Sequence, residues 1–183
     1  MDKRQPLPQL WLISDARNDA VLERALARLP RGSGLIFRHY HLDPAARLAR
    51  WRALQRLAKA RGHVVVLAGD AALARRWQAD GAYGGAALLG QGAALLRLVT
   101  VHSLRELARA RRADAVLLSP VFPTRSHPGG TLLGPLRFRL IAARARVPVI
   151  ALGGMNAPRA RRWRWRRWAA IDGLAAVPKP EDS

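Results

Sequence analysis

Two segments carry residue types suited to holding a phosphate. Val147-Pro-Val-Ile-Ala-Leu-Gly-Gly-Met-Asn156 is an apolar run that delivers Gly153 and Gly154 and then opens a helix at Asn156-Ala157-Pro158. Paired glycines let backbone N–H groups approach an anion, and the helix start adds a positive dipole end. The bland reading is a turn. In Leu118-Ser-Pro-Val-Phe-Pro-Thr-Arg-Ser-His-Pro-Gly-Gly130, Ser119 ends an apolar run, Thr124 and Ser126 can donate to phosphate oxygens, and Arg125 and His127 can neutralise them. Its bland reading is a proline-stiffened loop with polar tips. Phe37-Arg38-His-Tyr-His41 adds the Arg38 cation and the Tyr40 ring. In Thr100-Val-His-Ser-Leu-Arg-Glu106, Ser103 and Glu106 fit a capping box, and His102 reads as a ligand contact or as a hydrogen-bonded structural histidine.

These residues follow short apolar runs, and the runs alternate with Ala/Leu/Arg-rich helical stretches along the whole chain. The alternation predicts parallel strands joined by helical crossovers. Strands are expected at 10–14, 35–38, 64–68, 98–102, 115–119, 148–152 and 173–177, with a weaker one at 82–85. Their near-continuous apolar character suits strands buried on both faces. Helices are expected at 20–29, 44–61, 71–79, 104–111, 135–146 and 158–168. Asp43-Pro44 places a capping side chain before a proline suited to the first helical turn. Eight alternating strands predict a compact TIM-type (β/α)8 barrel, an α/β fold, with its last helix shortened or missing and one domain over 1–183. In such a barrel the chemistry sits where the strands end, which is where the candidate residues fall.

Half the residues are hydrophobic and there is no cysteine, so the composition is globular and excludes a disulfide frame, a thiolate metal site and a cysteine nucleophile. A cytoplasmic location is the simplest expectation, without a membrane partner. The formal charge is +20. Arginines scattered over Ala-rich stretches read chiefly as solvated helix faces. The concentrated run Arg159-Ala-Arg-Arg-Trp-Arg-Trp-Arg-Arg-Trp168 reads first as tryptophans packed inward beneath snorkelling arginines, and only second as a nucleic-acid or interfacial surface.

Taken together and in order, the segments resemble the thiamine phosphate synthase and TenI (thiazole tautomerase) superfamily. Ser119-Pro-Val-Phe-Pro-Thr124 and Pro148-Val-Ile-Ala-Leu-Gly-Gly154 carry the resemblance, which extends from Trp11 to Leu174. It implies a synthase-type transferase of thiamine biosynthesis, in which phosphorylated thiazole attacks hydroxymethylpyrimidine pyrophosphate while magnesium on two aspartates stabilises the departing pyrophosphate. Carried over by motif, Arg38, Tyr40, Thr100, Ser119, Thr124, Ser126 and His127 would face substrate, and Gly153 and Gly154 would cradle the thiazole phosphate.

The sequence departs from that pattern at several positions. The Asn-Asp pair falls on Ala68-Gly69, which leaves Asp70 as the candidate magnesium ligand, and no Asp or Glu occurs from Gly81 to Arg105. Tyr40 and His127 replace lysines, and the tautomerase acid/base falls on Pro120. One carboxylate is a poor magnesium platform. The expectation is therefore a thiamine phosphate synthase-like barrel with altered or reduced catalysis, in which Arg38, His102 and His127 carry whatever chemistry remains. The alternatives are a noncatalytic phosphometabolite-binding or regulatory barrel, or a TenI-like isomerase using His102 or His127. Partners are a phosphorylated thiazole or pyrimidine, with self-association left open.

Overall fold

The computed structural model describes residues 6–89, 95–124 and 132–175. Eight parallel strands close into a barrel in chain order: β1 Leu10–Ile13, β2 Gly34–Phe37, β3 Val64–Ala68, β4 Gly81–Gly84, β5 Leu96–Val101, β6 Ala115–Leu118, β7 Val149–Ala151 and β8 Trp168–Ala170. A 3-10 turn at Ala16–Val21 leads into α1 Leu22–Arg28. The other helices are α2 Pro44–Ala60, α3 Ala71–Arg76, α4 Leu104–Arg109, α5 Gly134–Ala142, α6 Ala157–Trp163 and α7 Asp172–Ala175. The TIM-type expectation holds. No helix among the described residues is long and apolar enough to cross a membrane.

Side-chain alternation along each strand divides the core in two. Trp11, Ile13, Ile36, Val66, Leu98, Leu117, Ile150 and Ala169 fill the barrel interior. The opposite faces, with Leu12, Leu35, Val65 and Leu118, pack on the helices through residues such as Leu26, Trp51 and Phe138. Trp11 is fully buried, and its indole N–H donates to Pro8 O at 3.0 Å. Its strand partner is Gly34, where a Cβ would lie 2.1 Å from the Trp11 ring. A glycine is required there because the indole occupies the space of a side chain.

The seam between first and last strands is tied by Asn18. Its buried amide donates to Ile13 O at 2.9 Å and to Ile171 O at 3.1 Å, and its carbonyl oxygen accepts from Asp15 N–H.

The last βα unit differs from the sequence expectation. The helix expected at 158–168 ends at Trp163, because Arg164 turns left-handed at φ 54°. The final strand is Trp168–Ala170, whereas the expected strand at 173–177 begins inside α7 and continues beyond the described residues. Among the described residues, the buried apolar run that pairs with β1 on this side is the one starting at Trp168, and it is hidden in the sequence by the arginines before it. The tryptophans do pack inward: Trp168 is 4% exposed, and Trp163 and Trp165 lie 4.8 and 4.9 Å from Phe138. Arg139 lies over both of those rings. The expected helix at 20–29 begins as the 3-10 turn instead, where Asp15 and Asn18 form a capping box.

Candidate functional site

The inner face of the barrel changes character at its last layer. Continuing the alternation past the interior core brings Arg38 above Ile36, Tyr83 above Gly81, Thr100 above Leu98, Ser119 above Leu117 and Leu152 above Ile150. These five line a cavity of about 210 Å³ at the C-terminal ends of the strands, together with His102, Thr124, Gly153, Gly154 and Asp172. The floor is apolar and sealed, and the rim is polar. This is where a parallel barrel presents ligand-binding groups.

Two loops are locked together to form one wall. After β6, Val121 N–H donates to Leu152 O at 2.9 Å and Phe122 N–H to Gly153 O at 3.1 Å. Gly153 and Gly154 have φ of 97° and 61°. A Cβ on Gly153 would lie 2.7 Å from Pro120 Cα, and one on Gly154 would lie 2.5 Å from Pro123 O. Close loop packing therefore demands both glycines, whatever else they do. Arg159 caps the arrangement by donating to Gly154 O and lying over the Phe122 ring. The peptide between Ser119 and Pro120 is cis.

Tyr83 and Thr100 share a side-chain hydrogen bond, and burial raises the phenol above its ordinary value while the Arg38 cation opposes the rise. The phenol thus stays a proton donor at neutral pH. At the rim, His102 Nδ1 lies 2.9 Å from Glu106 Oε2, and the His102 backbone N–H donates to the same oxygen. Partial burial pushes Glu106 upward, but the hydrogen bonds from His102 and Ser103 outweigh it and hold the carboxyl below its usual value. An ionised Glu106 at this distance orients the His102 ring.

Arg38 is set by a buried chain of hydrogen bonds. His39 is fully buried in a left-handed conformation, φ 41°, and its ring stacks on Phe37 at 4.6 Å and 3°. Its Nε2 is 2.8 Å from Asp19 Oδ1, and its Nδ1 is 2.7 Å from Ser14 Oγ. Burial lowers the His39 pKa more than the Asp19 contact raises it. For a neutral ring beside a carboxylate, the proton belongs on Nε2, donated to Asp19, and Nδ1 accepts from the Ser14 hydroxyl. Ser14 Oγ in turn accepts from Arg38 N–H at 2.8 Å. Arg50 continues the network outward to Asp19 and Glu23.

Of the residues expected from sequence, the cavity brings together Arg38, Thr100, His102, Ser119, Thr124, Gly153 and Gly154. Tyr40 stands outside the lining, 62% exposed, beneath the cations of Arg38 and Arg47. Asp70 also stands outside: its carboxylate caps α3, accepting from Leu73 N–H at 2.7 Å. Ser126 and His127 lie outside the described residues. Sequence reasoning missed Tyr83, for which a strict period-two reading of β4 was the available signal. It also missed Ser14, His39 and Asp19, which no local pattern connects.

The family profile for thiamine monophosphate synthase matches residues 10–177. The chain belongs to the thiamine monophosphate synthase family. The thiamine-phosphate synthase of an Azoarcus species is 34% identical over 81% of this chain and 80% of its own length. That of Chromobacterium violaceum is 33% identical over 82% and 76%. Among solved structures, the thiamine phosphate pyrophosphorylase of Pyrococcus furiosus superposes with a TM-score of 0.74 at 22% identity, covering 92% of this chain and 88% of its own, a likeness of fold.

A thiamine monophosphate synthase implies magnesium, and the donors at the ends of β3 and β4 do not fit it. Ala68-Gly69 supplies no carboxylate, Asp70 is engaged as a helix cap, and β4 ends at Gly84 with Gly85 following. Among the described residues no three of His, Cys, Asp or Glu converge as a metal site. Hard divalent cations need several oxygen ligands.

Proposed function

We propose that the chain serves thiamine biosynthesis as a synthase-type barrel that binds a phosphorylated thiazole and joins it, slowly, to hydroxymethylpyrimidine pyrophosphate. The observation that carries this reading is the ring of Arg38, Tyr83, Thr100 and Ser119 on a sealed apolar floor beside the Gly153–Gly154 wall, in a chain of this family. In the reaction the C–O bond to pyrophosphate breaks, a bond forms between the thiazole nitrogen and the pyrimidine methylene carbon, and pyrophosphate leaves with the electron pair.

Negative charge grows on the departing oxygens. Arg38 is the cation placed to offset it, and the Tyr83 hydroxyl, which accepts from the Thr100 hydroxyl, is the neutral donor that holds the anion in line. Thr124 and the Gly153–Gly154 backbone face the opposite side of the cavity and suit the thiazole phosphate. His102, oriented by Glu106, stands between them at the rim. The sealed floor keeps water away from the methylene carbon.

A noncatalytic binding role is the second reading, favoured by the poor magnesium donor set. Purified protein given both substrates distinguishes the two by chromatographic detection of thiamine phosphate. Product sensitive to Arg38→Met supports the synthase reading, and ligand-induced thermal stabilisation without product supports the binding role. Neither product nor stabilisation by phosphorylated thiazole rules out both.

A further inference from the structure

We propose that the cation this site offers to a phosphate or pyrophosphate group is the Arg38 guanidinium itself, so that the anion is bound without a divalent metal. This deepens the reading above and rests on it. Three observations converge on the corner between the ends of β2 and β3.

The carboxylates are missing there, and a second guanidinium stands in the gap. Arg47 reaches in from α2, donating from Nε to Arg38 O at 3.0 Å and from a terminal nitrogen to Ala68 O at 2.7 Å. Ala68 is the position on which the magnesium-binding motif falls. Arg47 is held in place by aromatic faces as well, lying 5.3 Å from the Tyr40 ring centroid and 5.4 Å from that of Trp77. A magnesium ion at this corner would meet two fixed positive charges and, among the described residues, no free carboxylate.

The backbone of Arg38 is clamped from both sides. Its N–H donates to Ser14 Oγ, which the buried His39 ring, held by Asp19, orients, and its carbonyl accepts from Arg47. A guanidinium on a fixed backbone loses less freedom when it closes on an anion, and its planar fork matches two phosphate oxygens.

Arg38 is also weakly neutralised by the protein. Among the described residues its ion-pair partner is Asp15 at 3.8 Å, a carboxylate that Arg17 already holds at 3.1 Å. Most of the Arg38 charge therefore remains for a ligand. The ligand class that fits is a metal-free phosphate monoester or pyrophosphate.

Calorimetric titration of the full chain with inorganic pyrophosphate, in EDTA and again in excess magnesium chloride, tests the inference. The expected dissociation constants agree within about twofold, and Arg38→Met weakens binding by about tenfold or more in both buffers. Arg38→Lys, which keeps the charge without the fork, falls between. Asp70→Asn, which keeps a capping side chain, leaves binding in both buffers unchanged. Circular dichroism verifies that each variant is folded.

Tightening by about tenfold or more with magnesium, Arg38→Met binding like the parent chain, or no pyrophosphate binding in either buffer would each overturn the proposal. Failure of the broader reading looks different. Metal-free pyrophosphate binding that persists without any thiamine phosphate formation leaves this inference standing and removes the synthase. Product formation that strictly needs magnesium does the reverse.

Discussion

Ser14 and His39, 25 residues apart in sequence, meet through a 2.7 Å hydrogen bond between two fully buried side chains. With Asp19 on the far side of the ring, the trio has the composition of a hydrolytic triad. Full burial of Ser14 removes it from any substrate, and its oxygen already accepts from Arg38 N–H. The trio is therefore a mount for Arg38, and its protonation state matters for stability.

His39 is pushed below its ordinary value of 6.5 by burial, with Asp19 opposing and His41 and Arg50 adding to the depression. His63 is lowered for the same leading reason. Below about pH 6.5 the unfolded chain takes up protons at both positions that the folded chain refuses, so stability is full above that pH and is lost as pH falls through it. Asp15, Asp19 and Glu23 are lowered too, and their contribution disappears at more acidic pH, below about 4.5. Urea midpoints measured from about pH 8 down to about pH 5 should fall, and His39→Asn, which tolerates a positive φ, should flatten part of that fall.

Gly34→Ala places a methyl inside the Trp11 ring. The indole has nowhere to move within a closed barrel, so a loss of about 1–3 kcal/mol or more is expected in urea unfolding. A smaller ring at Trp11 in the same background should recover part of it.

Asn18→Ala strips the β1–β8 seam of two donors and leaves the Ile13 and Ile171 carbonyls and the Asp15 N–H without their partner. Each such buried group costs about 1–3 kcal/mol. Hydrogen exchange should show the loss first in β1 and β8.

Gly154→Ala and Gly32→Ala form a matched pair. Both glycines have positive φ, 61° and 76°, but a Cβ at Gly32 meets nothing within 4 Å, whereas one at Gly154 meets Pro123 O and Phe122 Cβ. Gly32→Ala should cost the left-handed strain alone, about 1–2 kcal/mol. Gly154→Ala should lower Tm further and weaken binding of phosphorylated thiazole, because the wall of the cavity must open to admit the methyl.

The alternation was legible because most strands are apolar runs buried on both faces, and seven of the eight sit within about two residues of where those runs place them. β8 was hidden because its three residues follow an arginine-rich connection that looks helical, and the left-handed turn at Arg164 carries no glycine to announce it. The loops that line the cavity were visible because glycine, proline and hydroxyl residues cluster in them. The mount for Arg38 was not, since Ser14, Asp19, His39 and Arg50 obey no periodicity and are united only by the pairing of β1 with β2 and the helix packed beside it. Tyr40 falls outside the cavity lining for a related reason: the left-handed residue at His39 breaks the alternation, and Tyr40 lies exposed under Arg47.

Trp11 gives the cavity a single doorway. With its indole filling the interior near the N-terminal strand ends, nothing can pass through the barrel, and every ligand must use the same opening. Two ligands sharing one entrance are ordered wherever one seats beneath the other: the deeper must then come first, and the molecule nearest the opening must leave first. Steady-state kinetics on this chain should accordingly show compulsory ordering, with excess of the outer ligand trapping the inner one in place.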